Sequence, residues 1–136
     1  MAAAKFVNEG PGGRDKINVL IVEDEPLLRF ALASELNSAG FQVFEAANSD
    51  EADAVLATKT PLDVLITDIQ MPGLRDGIAL AETVRAMRPE MKIIVASGRA
   101  PPSDVSDLAD AFYAKPYSLN ALIARVSALV GTHQGA

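Results

Sequence analysis

The sequence predicts an α/β domain in which a parallel β-sheet is covered by helices on both faces. Three observations carry that expectation. Short apolar runs of strand length recur five times along the chain, and stretches with helical spacing separate them. The apolar content is aliphatic, 49% overall against 5% aromatic with no tryptophan, which suits helices packed on a buried sheet. Strands buried on both sides read as continuous Val/Ile/Leu runs, and parallel neighbours need crossovers long enough to hold a helix. At 136 residues the chain is long enough for one core without covalent staples.

The elements follow in order. Residues 1–15 are rich in Gly and Pro and read as a flexible leader. The run INVLIV (17–22) is the first strand, central in character. Pro26 suits a first helical turn, Leu28, Ala31, Leu32, Glu35 and Leu36 recur at helical spacing, and Gly40 ends the helix. FQVFEA (41–46) alternates as a partly exposed edge strand does. NSDE (48–51) has capping-box spacing and opens a short helix with Ala52, Val55 and Leu56 inward. LDVLIT (62–67) is the third strand. Residues 77–88 put Ile78, Ala81, Val84 and Met87 on one helical face, closed by Pro89. KIIVA (92–96) and AFYA (111–114) are the last two strands. Leu119, Leu122, Ile123, Val126, Leu129 and Val130 form the stripe of a final amphipathic helix, and 132–136 is a tail.

Right-handed crossovers and this rhythm fit a doubly wound sheet of flavodoxin-like order 2-1-3-4-5, whose ligands lie beyond the carboxyl ends of the strands. The rhythm is read from this chain, whereas the order is carried over from known folds.

Composition removes several classes of function. Without cysteine there are no disulfides, thiolate metal sites or thiol nucleophiles. The one histidine, His133, lies near the end of the sequence and leaves no multi-histidine metal site or Ser-His-Asp triad. A net charge of −6 argues against a nucleic-acid surface. No apolar run approaches the ~20 residues of a membrane span, and no secretory signal opens the chain, so the expected location is the cytoplasm.

The strand ends hold the chemistry. Strand one runs into Glu23-Asp24-Glu25, strand three into Asp68, strand four into Ser97-Gly98 and strand five into Lys115-Pro116. Carboxylates converging on one rim repel unless a cation intervenes, and hard oxygen donors suit Mg²⁺. Lys115 adds a fixed charge and Ser97 a hydroxyl donor, both suited to a phosphoryl group beside the metal. Such a set is equipped to form an aspartyl phosphate on Asp68. Each residue alone also has an ordinary reading: Asp24 as a helix cap, Ser97 as a turn residue, Lys115 as a surface lysine.

With these motifs in this order, VLIVEDEP, DVLITDIQMPG, IIVASG and AFYAKPY, the chain resembles the receiver domain of two-component response regulators over residues 16–131. The resemblance implies that Asp68 is the phosphoacceptor, that Asp24 binds Mg²⁺ directly and that Glu23 holds a metal-bound water. It implies that the backbone carbonyl of Gln70 completes the ligands and that Asp68 itself joins them. Lys115 then contacts the phosphoryl group, Pro116 follows a cis peptide, Ser97 is the switch hydroxyl and Phe112 the switch aromatic. Phe112 also has the plain reading of a core residue. The implied partners are a histidine kinase or histidine phosphotransfer protein and a downstream protein, with no direct nucleic-acid or membrane contact. Homodimerisation on phosphorylation also belongs to that expectation. Such a module modifies itself and turns over no metabolite, so it is not a conventional enzyme. Gln70 and Arg99 stand where side chains assist or screen an attacking water and so set the lifetime of the phosphoryl group.

Two departures matter. Ser97 stands where threonine is more usual. The stretch 99–110 is short for a loop and fourth helix; Pro101 and Pro102 forbid helix at its start, and Ser103 caps one or two turns through Leu108. A shortened fourth helix and a reshaped output face follow. Only six residues lie beyond Val130, so the expectation is a stand-alone, single-domain regulator. Two other readings stay open. One is a Mg²⁺ phosphatase of haloacid dehalogenase type, which calls for Asp-x-Asp after the first strand, whereas Gln70 stands two places after Asp68. The other is a binding module of receiver shape that has lost phosphorylation.

Overall fold

The computed structural model describes residues 16–71, 76–100 and 105–131. The leader 1–15, the tail 132–136 with His133, the Pro72-Gly73 part of the turn after Asp68, and Pro101, Pro102 and Ser103 lie outside the described residues.

Five strands, β1 (Asn18–Val22), β2 (Gln42–Ala46), β3 (Val64–Asp68), β4 (Lys92–Ser97) and β5 (Ala111–Ala114), alternate with helices α1 (Pro26–Ser38), α2 (Ser49–Leu56), α3 (Gly77–Met87), α4 (Val105–Leu108) and α5 (Leu119–Val130). All strand pairs are parallel and the sheet order is β2-β1-β3-β4-β5, the flavodoxin-like order. β2 lies at an edge, which explains why only Ala46 of it is buried, while β1, β3 and β4 are buried almost throughout.

Period-two geometry explains why apolar runs are unbroken in the central strands. Leu20, Val22, Leu65, Ile93 and Val95 point to one face and meet Ala52 and Leu56 of α2 and Leu80, Ala81 and Val84 of α3. Val19, Ile21, Val64, Ile66 and Ile94 point to the other and meet Leu32, Ala33 and Leu36 of α1 and Leu122, Val126 and Val130 of α5. Each of these residues therefore has a helix to bury against, at roughly 1.5–3 kcal/mol for each fully buried Val, Leu or Ile.

Helix ends obey local chemistry. α1 closes in a Schellman arrangement: Gly40, at φ +100°, donates to Asn37 O (3.0 Å) and Phe41 donates to Leu36 O (3.0 Å). At α2, Asn48 Oδ1 accepts from Glu51 N (2.8 Å), while the Glu51 carboxylate accepts from Ala47 N (2.7 Å), one residue earlier than a standard capping box. Asp76 caps α3 and Ser118 caps α5.

Two helical faces differ from expectation. On α1, Leu28 and Ala31 are half-buried and Glu35 is exposed, because the buried stripe runs through Leu32, Ala33 and Leu36. Leu27 and Phe30 consequently face solvent. On α3, Leu80 is fully buried and Ile78 only partly, and Met87 is exposed. Met91, just before β4, fills that end of the core instead.

α4 is a single turn. It is tied down by Arg85, whose guanidinium donates to the carbonyl oxygens of Pro89 (2.9 Å), Met91 (2.8 Å) and Leu108 (3.1 Å) and pairs with Asp110 (3.1 Å). Asp110 also accepts from Ile93 N (2.8 Å), so residues 105–110 are pinned to β4 by charge-assisted bonds. No helix among the described residues is long and apolar enough to cross a membrane.

Candidate phosphoacceptor and metal site

Strand register assembles the site. Val22 pairs with Thr67, so Glu23 and Asp68 leave their strands at the same level. Asp68 pairs with Ala96 and Ser97 with Ala114, which sets Ser97 and Lys115 one step further along the same rim. The main chain closes that step, with Lys115 N donating to Ser97 O (2.8 Å). The Lys115–Pro116 peptide is cis.

Lys115 is the hub. Its Nζ donates to Glu23 Oε1 (2.6 Å) and to Asp68 Oδ2 (2.9 Å). All three side chains are largely shielded, at 19%, 6% and 9% exposure, so the pairs operate in a medium where charge interactions are stronger than in water. Burial pushes Glu23 above the ordinary carboxylate range, against the pull of Lys115 and of the Glu25 N–H. For Lys115 burial acts to lower the pKa, but the hydrogen bonds to Asp68 and Glu23 outweigh it and hold the ammonium above its usual value.

The two acids of the first strand end differ in kind. Glu23 is buried with both carboxylate oxygens engaged, Oε1 by Lys115 and Oε2 by Glu25 N (3.0 Å). Asp24 is exposed. One oxygen each from Glu23, Asp24 and Asp68 lies within 4.8 Å of the others, a spacing that a divalent cation can bridge. Asp68 Oδ1 is buried and makes no hydrogen bond among the described residues. Buried polar atoms are rarely left so, and an orphaned carboxylate oxygen among hard donors fits a cation such as Mg²⁺.

Ser97 is fully buried. Its hydroxyl donates to Gln70 Oε1 (3.0 Å) and accepts from Arg99 N (3.1 Å), so both sides of the oxygen are used. The Gln70 side chain is exposed, and Phe112 is half-buried against the α2/α3 side of the core.

Three residues that sequence reasoning missed belong to this rim. Gly77 is the closest: a Cβ there would overlap the main-chain oxygen of Asp68, and its N–H donates to Ile69 O (2.8 Å). The sequence signal was a glycine directly after the capping Asp76, which reads only as a helix start. Arg29 donates to the Glu23 carbonyl oxygen (2.8 Å) and pairs with Glu45 of β2 (3.3 Å), fixing the turn that carries the acids. The Tyr117 hydroxyl, pushed up to about 12 by burial and then by the Glu23 charge, lies within reach of the same field. Arg29 lies in no quoted motif, and Tyr117 closes AFYAKPY without a role of its own.

A buried aspartate paired to a lysine through one oxygen and set beside two acids, at the carboxyl edge of a doubly wound sheet, has counterparts. The family model for the response regulator receiver domain matches residues 19–127, and the chain belongs to that family. The transcriptional regulatory protein PhoP of Escherichia coli is 32% identical over 123 residues, which is 88% of this chain and 54% of PhoP. The chain thus spans about half the length of that relative. The structure of the response regulator TrrA from Thermotoga maritima in complex with Mg²⁺–BeF is similar at a TM-score of 0.75 and 30% identity, over 83% of this chain and 98% of TrrA. A response regulator from Burkholderia pseudomallei, solved with a phosphorylated aspartic acid, calcium ion and citrate, matches at a TM-score of 0.72 and 27% identity, over 88% and 72%. Receiver domains are phosphoacceptors and switches that interact with kinases and downstream effectors.

Proposed function

We propose that Asp68 takes a phosphoryl group from the phosphohistidine of a histidine kinase or histidine phosphotransfer protein, with Mg²⁺ as cofactor. The observation that carries this reading is Asp68 itself, with Oδ1 buried and without a hydrogen bond while Oδ2 faces Lys115. The relatives with Mg²⁺–BeF and with a phosphorylated aspartic acid support it by analogy. An oxygen of Asp68 bonds to phosphorus as the P–N bond of the donor breaks, and the imidazole leaves with the electron pair and is neutralised by a proton. Asp24, Asp68 and the Gln70 carbonyl would hold the metal, and Glu23 would orient a water beside it. When bound, Mg²⁺ supplies neutralising charge for the phosphoryl oxygens.

Lys115 then exchanges a carboxylate partner for a phosphoryl oxygen, Ser97 donates to another, and Phe112 turns inward from its half-buried position. That is a shift between two packings, biased by the new charge. The unit, residues 16–131, is a self-modifying switch in the cytoplasm and turns over no metabolite. Its output is a protein contact or a phosphorylation-induced homodimer, read from a face that the one-turn α4 reshapes. The net charge of −6 speaks against direct nucleic-acid contact.

Intact-protein mass after incubation with acetyl phosphate tests this. A single phosphoryl adduct that requires Mg²⁺ and is absent from Asp68→Asn is the expected result. No adduct from acetyl phosphate or from any phosphohistidine donor contradicts it.

A further inference from the structure

Ser97 has one proton to give, and here it gives that proton to Gln70. Gln70 Oε1 accepts it at 3.0 Å, and the other side of Ser97 Oγ is occupied by Arg99 N–H at 3.1 Å. The hydroxyl is therefore engaged as donor and as acceptor inside the rim, and Ser97 is completely buried. Gln70 is exposed, so once released its amide is solvated at no comparable cost. Nothing in the packing requires this bond for the sheet to close, because Ser97 is already held by its main chain: its carbonyl oxygen accepts from Lys115 N at 2.8 Å.

We propose that the Gln70 side chain is an off-state latch on the switch: it competes with the oxyanion on Asp68 for the Ser97 hydroxyl and so lowers the fraction of phosphorylated molecules in the switched packing. This rests on the phosphoacceptor reading and adds to it a residue that sets the switching equilibrium through Ser97. Gln70 is a positioning residue in this role. Its side chain acts on Ser97, while its backbone carbonyl is the candidate metal ligand. The latch has the strength of one neutral hydrogen bond, and releasing it is worth about three- to tenfold in equilibrium. The hold is removable without opening a cavity, since the amide lies at the surface.

The test uses Mg²⁺ plus beryllofluoride, a phosphoryl mimic, titrated into the full chain by amide NMR, which also reports that each variant is folded. Wild type, Gln70→Leu, Ser97→Ala and the double variant form a cycle. The expected result is a dissociation constant about three- to tenfold lower for Gln70→Leu than for wild type. In the Ser97→Ala background the same substitution has no effect. In Gln70→Leu without ligand, the Arg99 amide resonance already moves toward its bound position. An unchanged or weaker affinity in Gln70→Leu overturns the latch, as does an equal tightening with Ser97→Ala in place. Failure of the wild type to bind beryllofluoride with Mg²⁺ overturns the phosphoacceptor reading itself, and the latch with it.

Discussion

Lys115 is the residue on which the resting site depends. It sits between Glu23 at 2.6 Å and Asp68 at 2.9 Å, and its removal leaves two shielded carboxylates facing each other. Breaking a buried pair by deleting one partner costs about 3–5 kcal/mol. We expect Lys115→Met to lower unfolding stability in chelator by that order, measured with urea, and added Mg²⁺ to restore part of it by mass action. Equal stability with and without metal in the variant would contradict the placement of Lys115 as the resting counter-charge. Tyr117 gives a second residue-scale expectation. Its folded pKa, raised from 10.0 to about 12, lies above the unfolded value. The folded state therefore holds the phenolic proton more tightly. The associated stability is complete below pH 10 and is lost as pH rises toward 12. Tyrosinate absorbance should show a late phase near pH 12 that Tyr117→Phe removes.

Among the elements, the junction of β3 and α3 is the most constrained. Alanine is the better helix former by about 1 kcal/mol, yet at position 77 its Cβ meets the fixed main-chain oxygen of Asp68 rather than a movable side chain. The clash decides the sign. Gly77→Ala is expected to destabilise by about 1–3 kcal/mol and to displace the Asp68 backbone, seen as a shifted Asp68 amide resonance. A neutral or stabilising Gly77→Ala would mean that the helix start moves freely relative to the strand.

The same scale shows where sequence reading works. Strands were legible because each buried run has both faces covered, and the rim was legible because Glu23, Asp68, Ser97 and Lys115 stand at or just beyond the ends of such runs. The buried face of α1 was not, because residues 27–33 are all apolar except Arg29 and fix no unique stripe. Met87 and Met91 compete for one corner of the core, and only the packing of the loop before β4 decides for Met91. The contacts of Gln70 with Ser97 and of Gly77 with Asp68 join residues that no periodicity relates.

Across the whole molecule, a parallel sheet delivers every strand end to one rim, so an acidic cluster, a lysine and a hydroxyl separated by up to 92 positions in sequence meet there. The opposite rim is closed by arginines. Arg88 donates to the carbonyl oxygens of Leu56 (2.9 Å), Thr58 (3.0 Å) and Thr60 (2.7 Å), and Arg85 to that of Leu108 (3.1 Å) near α4, so that end is tied together by guanidinium bonds. Whether Asp68 carries the phosphoryl group is tested by locating that group chemically. Protein treated with Mg²⁺ and a phosphohistidine donor is reduced with borohydride, which converts an acyl phosphate on aspartate to homoserine, and is then mapped by peptide mass. Homoserine at position 68 and at no other aspartate is the predicted result. A phosphoryl adduct on the intact protein with position 68 unchanged and another residue reduced would contradict the account.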